Sequence, residues 1–171
     1  MEFKIINKEQ KLLVGLACDV TLTEVKEKKM TIKLAELFME RKSEIINIIN
    51  TKELFGLSTD PENYNPDTDK FEYFIGVEVE SITEIPKDMV YREIPNSDYV
   101  VFTFEGPADN AGQVHDYLYT NWIQNNEYEL SGLFNVEVYD ERSQGPFSNE
   151  SVTDIYFPIK KKKWISDALL P

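Results

Sequence analysis

Leu133-Phe134-Asn135-Val136-Glu137-Val138-Tyr139, taken together with Asp154-Ile155-Tyr156-Phe157-Pro158-Ile159, is the stretch whose reading decides the fold. In a strand successive side chains alternate between faces. Phe134, Val136 and Val138 therefore share one face, and Leu133, Asn135, Glu137 and Tyr139 the other. The first face is uniformly apolar and is expected to pack against the body of the domain. The second mixes apolar, amide, phenol and carboxylate groups, which suits neither a dry core nor plain solvent. A carboxylate rimmed by aromatic rings on a half-open sheet face suggests a pocket for an apolar molecule, cations included.

Working outward, the same pattern occurs twice. Leu54-Phe55-Gly56-Leu57-Ser58 lines up with Leu133-Phe134-Asn135-Val136-Glu137, and Phe71-Glu72-Tyr73-Phe74-Ile75-Gly76-Val77 with Thr153-Asp154-Ile155-Tyr156-Phe157-Pro158-Ile159. Each strand pair follows a helical pattern. From Thr31 to Ile49, Leu34, Phe38, Ile45 and Ile49 fall on one stripe; from Asp109 to Asn125, Val114, Leu118 and Trp122 do the same. Short strands are expected at Lys4–Ile6, Leu12–Cys18, Met89–Glu93 and Tyr99–Phe104, and a loop at Asp60–Asp67 from its Pro, Asn and Asp content. The fold class predicted is α+β: a tandem, pseudo-twofold βαββ repeat of antiparallel sheet, with two helices on the outer face and a central cleft. The whole chain, 1–171, is read as one domain, with repeats at about 1–84 and 85–171. Across the cleft the first repeat offers Gly56, Ser58, Phe74 and Gly76, the second Asn135, Glu137, Tyr139 and Tyr156. Small residues face larger polar ones, as a binding site requires.

Composition narrows the function. The 171 residues carry a formal net charge of −13, a field that repels phosphate backbones, so direct nucleic-acid binding is not expected. Cations or basic protein surfaces are favoured instead. The terminal Lys160–Lys163 run is read as a solvated strand end. A single cysteine, Cys18, excludes an internal disulfide and reads as a small core residue in a reducing compartment. No signal peptide or roughly 20-residue apolar span is present, so a cytoplasmic protein with no membrane segment is expected. His115, the one histidine, has no second histidine or cysteine beside it and reads as a surface or boundary residue. No metal site, cofactor motif, nucleophile elbow or catalytic carboxylate pair is recognisable, so no metal and no cofactor is expected.

Ile94-Pro95-Asn96-Ser97-Asp98-Tyr99-Val100-Val101-Phe102, then Glu105-Gly106, a helix with Trp122, Val136-Glu137-Val138-Tyr139-Asp140-Glu141 and the closing Asp154–Ile159 together resemble the GyrI-like effector-binding family. The resemblance covers most of the chain and is strongest from Tyr91 to Lys160. It implies paired βαββ modules with a pocket between them, as in the ligand-binding halves of MerR- and AraC-type regulators. In drug-responsive members a central acidic residue faces lipophilic cations amid aromatic rings, and Glu137 matches that position. The helix-turn-helix of the regulators has no room before Lys11, so a stand-alone member is expected.

The ligand-binding residues expected are Glu137, Tyr156, Tyr139, Trp122, Phe74, Asn135 and, closing over from its loop, Tyr64. A carboxylate stripped of water attracts a cation or shifts its pKa upward, and each aromatic face adds roughly 0.5–2 kcal/mol to a cationic guest. Three functions remain open. The leading one is a small-molecule sensor or sequestering module for a lipophilic compound. The second is a protein-interaction role with a partner regulator or DNA gyrase, as in some free-standing relatives. The third is hydrolysis of an electrophile, with Glu137 activating water and Tyr156 donating a proton. The binding, non-enzymatic reading leads.

Overall fold

The structure is a computed structural model that describes residues 1–163. Nine strands form one antiparallel sheet: β1 (Phe3–Lys8), β2 (Lys11–Val20), β3 (Leu54–Thr59), β4 (Phe71–Glu78), β5 (Val90–Ile94), β6 (Ser97–Glu105), β7 (Tyr128–Leu130), β8 (Phe134–Tyr139) and β9 (Val152–Lys161). Their order across the sheet is β1-β6-β9-β8-β3-β4-β2-β5, with β7 pairing the end of β9. The predicted fold class is the one observed.

The register carries the twofold. Between β3 and β8, Gly56 faces Glu137 and Ser58 faces Asn135. That crossed pairing is what a twofold between the two strands demands if Gly56 corresponds to Asn135 and Ser58 to Glu137. The next rung agrees: Leu57 faces Phe74 in one half and Val136 faces Tyr156 in the other. The in-phase alignment of the two sequence patterns is therefore a property of the ladder.

Each half's opening strand is exchanged. β1 pairs with β6, and β5 with β2, although β1 is joined to β2 by Glu9-Gln10 and β5 to β6 by Pro95-Asn96. Two such short links connect opposite ends of the sheet, so the sheet must curl until its ends face each other. Ile6 of β1, Leu13 of β2, Val90 and Ile94 of β5, and Tyr99 and Val101 of β6 accordingly meet in one core with Phe55, Leu57, Phe74, Val136 and Tyr156. Antiparallel sheets shield their edges in this way.

The helices lie outside the curl, as predicted, but they differ from expectation in extent. The first helical region is two helices, α1 (Leu22–Lys28) and α2 (Met30–Arg41). A capping box between Thr21 and Glu24 starts α1, and Lys29, at φ 53°, breaks the chain direction between them. The stripe is buried further than the helix runs: Phe38 and Ile45 are 0% and 6% exposed, and only Ile49, at 54%, leaves the core. Beyond Arg41 the chain makes one 3₁₀ turn, and Ile49 donates to Glu78 instead of continuing a helix. In the second half, α3 (Gly112–Tyr117) continues as a π turn through Leu118–Trp122 and a 3₁₀ turn through Ile123–Asn125. Its stripe of Val114, Leu118 and Trp122 is buried, as expected. No side chain caps its start. The lysine run is not simply solvated. Lys160 and Lys161 approach Glu129 and Glu127, and the Lys162 ammonium donates to the Ile123 and Asn126 carbonyls at the helix C-terminus. Among the described residues no helix is long and apolar enough to cross a membrane, and no group of His, Cys, Asp or Glu could hold a metal.

Candidate functional site

The two helical layers share no apolar cluster and are bridged by an ion pair, the Lys29 ammonium between α1 and α2 lying 2.6 Å from the Asp109 carboxylate just before α3. α1 and α2 pack on β2 and β4 through Val14, Leu16, Phe38, Tyr73 and Ile75; α3 and its extension pack on β6 and β9 through Val100, Phe102, Val114, Phe157 and Trp122. The two central strands, β3 and β8, are left bare on the helix-bearing side. Gly56, Ser58 and, on the facing strand, Asn135, Glu137 and Tyr139 point there, because Gly56 faces Glu137 and Leu54 faces Tyr139. The result is a trough floored by β3 and β8 and walled by the two helical layers.

At one end Glu137 is half-buried and accepts a hydrogen bond from the Tyr139 hydroxyl. Tyr73 completes this group: its hydroxyl and the Tyr139 ring both stand over Gly56, where an added Cβ would come within 3.1 and 3.3 Å of them. Glycine at 56 is what lets two phenols approach the carboxylate. Burial pushes the Glu137 carboxyl above its ordinary value, and only the Tyr139 hydrogen bond opposes the shift. Burial, with the Glu137 charge next in effect, also raises the Tyr139 and Tyr73 phenols. Glu137 forms no ion pair among the described residues.

The trough continues past Asn135, which is 9% exposed. His115, half-buried at a boundary position as expected, lays its ring edge-on against Phe157, 5.1 Å between centroids; burial lowers its pKa and favours the neutral ring. Farther along, the amide of Asp60 donates to the Leu133 carbonyl at 2.8 Å, which carries the β3–β8 ladder one rung past Thr59. Asp60 thus shares the face of Gly56 and Ser58. Burial raises its carboxyl, and its charge in turn helps raise the phenols of Tyr64 and Tyr119.

Of the residues expected from sequence, Glu137, Tyr139 and Asn135 come together in the trough, and Tyr64 stands near its Asp60 end, edge-on to Phe71 at 6.2 Å. Three do not join them. Tyr156 pairs with Val136 and Phe74 with Leu57, so both point into the curled sheet, where Phe74 is fully buried and Tyr156 stacks edge-on with Tyr99 at 6.1 Å. The expected common phase of Glu137 and Tyr156 is corrected by this register, which alternation within single strands does not reveal. Trp122 lies over the far strands, 5.5 Å from Phe3 of β1 and 6.2 Å from Phe102 of β6, and is 1% exposed. The cleft is accordingly on the helix-bearing face; the inside of the curl is packed, with a cavity of about 100 Å³ at one mouth bordered by Lys8, Lys11, Tyr99 and Tyr156. Sequence reasoning missed Asp60, Tyr73, His115 and Tyr119. Parity with Gly56 and Ser58 was the available signal for Asp60, hidden because Asp60-Pro61 reads as the start of a turn.

With this geometry in hand, comparison with known proteins adds three relationships. The transcriptional regulator BrlR of Pseudomonas aeruginosa is 28% identical over 127 residues, covering 74% of this chain and 45% of BrlR, so the chain spans less than half of that relative. SAV2435, solved bound to tetraphenylphosphonium, has the same fold at 19% identity, with 94% of each chain covered and a TM-score of 0.68. A hydrolase from Listeria innocua is more distant, at 11% identity over 93% of this chain and 92% of its own, with a TM-score of 0.55. Residues 1–160 match the GyrI-like small molecule binding domain, and the chain belongs to that family.

Proposed function

We propose that the trough binds lipophilic organic cations and that the chain acts as a cytoplasmic sensor or sequestering module for them. One observation carries the reading. Glu137 is a half-buried carboxylate with raised pKa, no cationic partner among the described residues, and two phenol rings beside it, on a stretch of sheet the helices leave bare. A buried charge without a partner is costly to keep. A soft, weakly hydrated cation repays that cost, gaining Coulomb attraction from Glu137 and cation–π attraction from Tyr73 and Tyr139. Apolar surface on the guest gains further from leaving water. The tetraphenylphosphonium held by SAV2435 is a ligand of this chemical type, and the regulator identity of BrlR fits a sensing role.

The test is calorimetric titration with tetraphenylphosphonium. Wild-type protein is expected to bind, and Glu137→Gln to weaken binding about tenfold or more, through loss of a desolvated charge pair. Unchanged affinity in the variant would remove the reading.

Hydrolysis is a second reading, favoured by the contact between the Tyr139 hydroxyl and Glu137 and by the fold shared with the Listeria innocua hydrolase. Tyr156 points away from Glu137, so the pair first expected to share that chemistry is separated by the sheet; Tyr139 takes its place. Turnover of an electrophile that disappears in Glu137→Gln while binding survives would establish it.

A further inference from the structure

We infer that the trough is a two-charge site, selecting elongated apolar dications over monocations, with Glu137 at one end and Asp60 at the other. The inference rests on the cation-binding reading above. Glu137 faces Gly56 across the ladder, and Asp60 is four residues beyond Gly56 on the same face. Strand rise sets that separation at roughly 13 Å along the floor. Between the two carboxylates the floor carries Ser58 and Asn135, polar groups too short to block a chain laid along it.

The two ends repeat one design from different elements. Glu137 has the phenols of Tyr139 and Tyr73; Asp60 has those of Tyr64, from the β3–β4 loop, and Tyr119, from the π turn. Burial alone raises the Asp60 carboxyl, with no basic group pulling it back. Beside it the Tyr64 hydroxyl is buried without a hydrogen-bond partner. Each end thus offers an under-compensated acceptor in the neighbourhood of two phenol side chains, whose rings can take up a quaternary ammonium. A compact monocation satisfies Glu137 and leaves Asp60 desolvated; a guest with a second positive head satisfies both.

The probes are decamethonium, which has trimethylammonium groups at both ends of a ten-carbon chain, and decyltrimethylammonium, which has one. Calorimetric titration of the wild type is expected to show decamethonium binding at least about tenfold tighter, the scale of one added desolvated charge contact. Asp60→Asn, or Asp60→Ser where the amide folds poorly, is expected to erase that advantage, lowering decamethonium affinity at least about tenfold more than decyltrimethylammonium affinity. Glu137→Gln is expected to weaken both probes. Glu62→Gln, at an exposed carboxylate two residues from Asp60, controls for the acidic field of the whole molecule and is expected to keep the advantage. Equal wild-type affinities, or equal losses in Asp60→Asn and Glu62→Gln, overturn the two-charge site while leaving single-cation binding intact. If neither probe nor tetraphenylphosphonium binds, both readings fall.

Discussion

The same two strands, β3 and β8, present opposite chemistries on their two faces. Inward, Phe55, Leu57, Val136 and Phe134 pack with Phe74 and Tyr99 in the core that holds the curled sheet closed. Outward, Ser58, Glu137 and Tyr139 are half in contact with water, beside the buried Gly56 and Asn135. Alternation at a period of two makes this division possible without any change of backbone. The inner face supplies stability through apolar burial, and the outer face gives some of it back by holding a carboxylate where a carboxylate is uncomfortable. Strained or costly groups of this kind collect at binding sites because the rest of the structure holds them in place.

The largest test of the contrast is Phe74→Ala. Phe74 is fully buried inside the curl, so truncation is expected to cost about 3–5 kcal/mol of unfolding free energy. Denaturant melts monitored by circular dichroism measure it. A loss no larger than that of an exposed site would mean the interior is not the source of stability.

Substitution on the outer face should act in the opposite direction. Burial lifts the Glu137 carboxyl above its ordinary 4.5, so between the ordinary and raised values the folded state keeps a proton that the unfolded chain has released. Stability attributable to this group is present in full below the ordinary value and falls as pH rises through that window. Glu137→Gln is therefore expected to match the wild type at about pH 4 and to melt higher near neutral pH, while binding cations more weakly. A melting difference that does not change with pH would contradict the assignment.

The smallest expected effect sharpens the comparison most. Tyr156→Phe should leave tetraphenylphosphonium affinity unchanged, because that phenol points into the curl. Tyr139→Phe should weaken binding by a few-fold, because it removes the hydroxyl that holds the Glu137 carboxylate in position. Equal effects in the two variants would dissolve the distinction between the faces.

These contrasts also mark how far the sequence could be read. Glu137, Tyr139 and Asn135 were legible because they lie within one strand, where alternation fixes their common face. The repeat was legible because corresponding strands keep their phase, and the β3–β8 register repeats it rung by rung. Tyr156, Phe74 and Trp122 were misplaced because the relative phase of two strands depends on register, and a stripe residue such as Trp122 can pack over any of several strands. The helical region after Val20 was misjudged at both ends: the Thr21 capping box was overlooked, and the isoleucines beyond Arg41 mimic a continuing stripe.

The sequence by itself determined the local alternation, the paired βαββ pattern, the family and the charged residue in the central strand, all of which depend on neighbours a few positions apart. Only the tertiary structure decided which side of the sheet holds the trough and that Asp60 belongs to it. It alone also showed that the opening strands are exchanged between the halves. Those outcomes follow from two short links, Glu9-Gln10 and Pro95-Asn96, joining opposite ends of one ladder. The curl they impose buries one face completely and leaves the middle of the other free to bind.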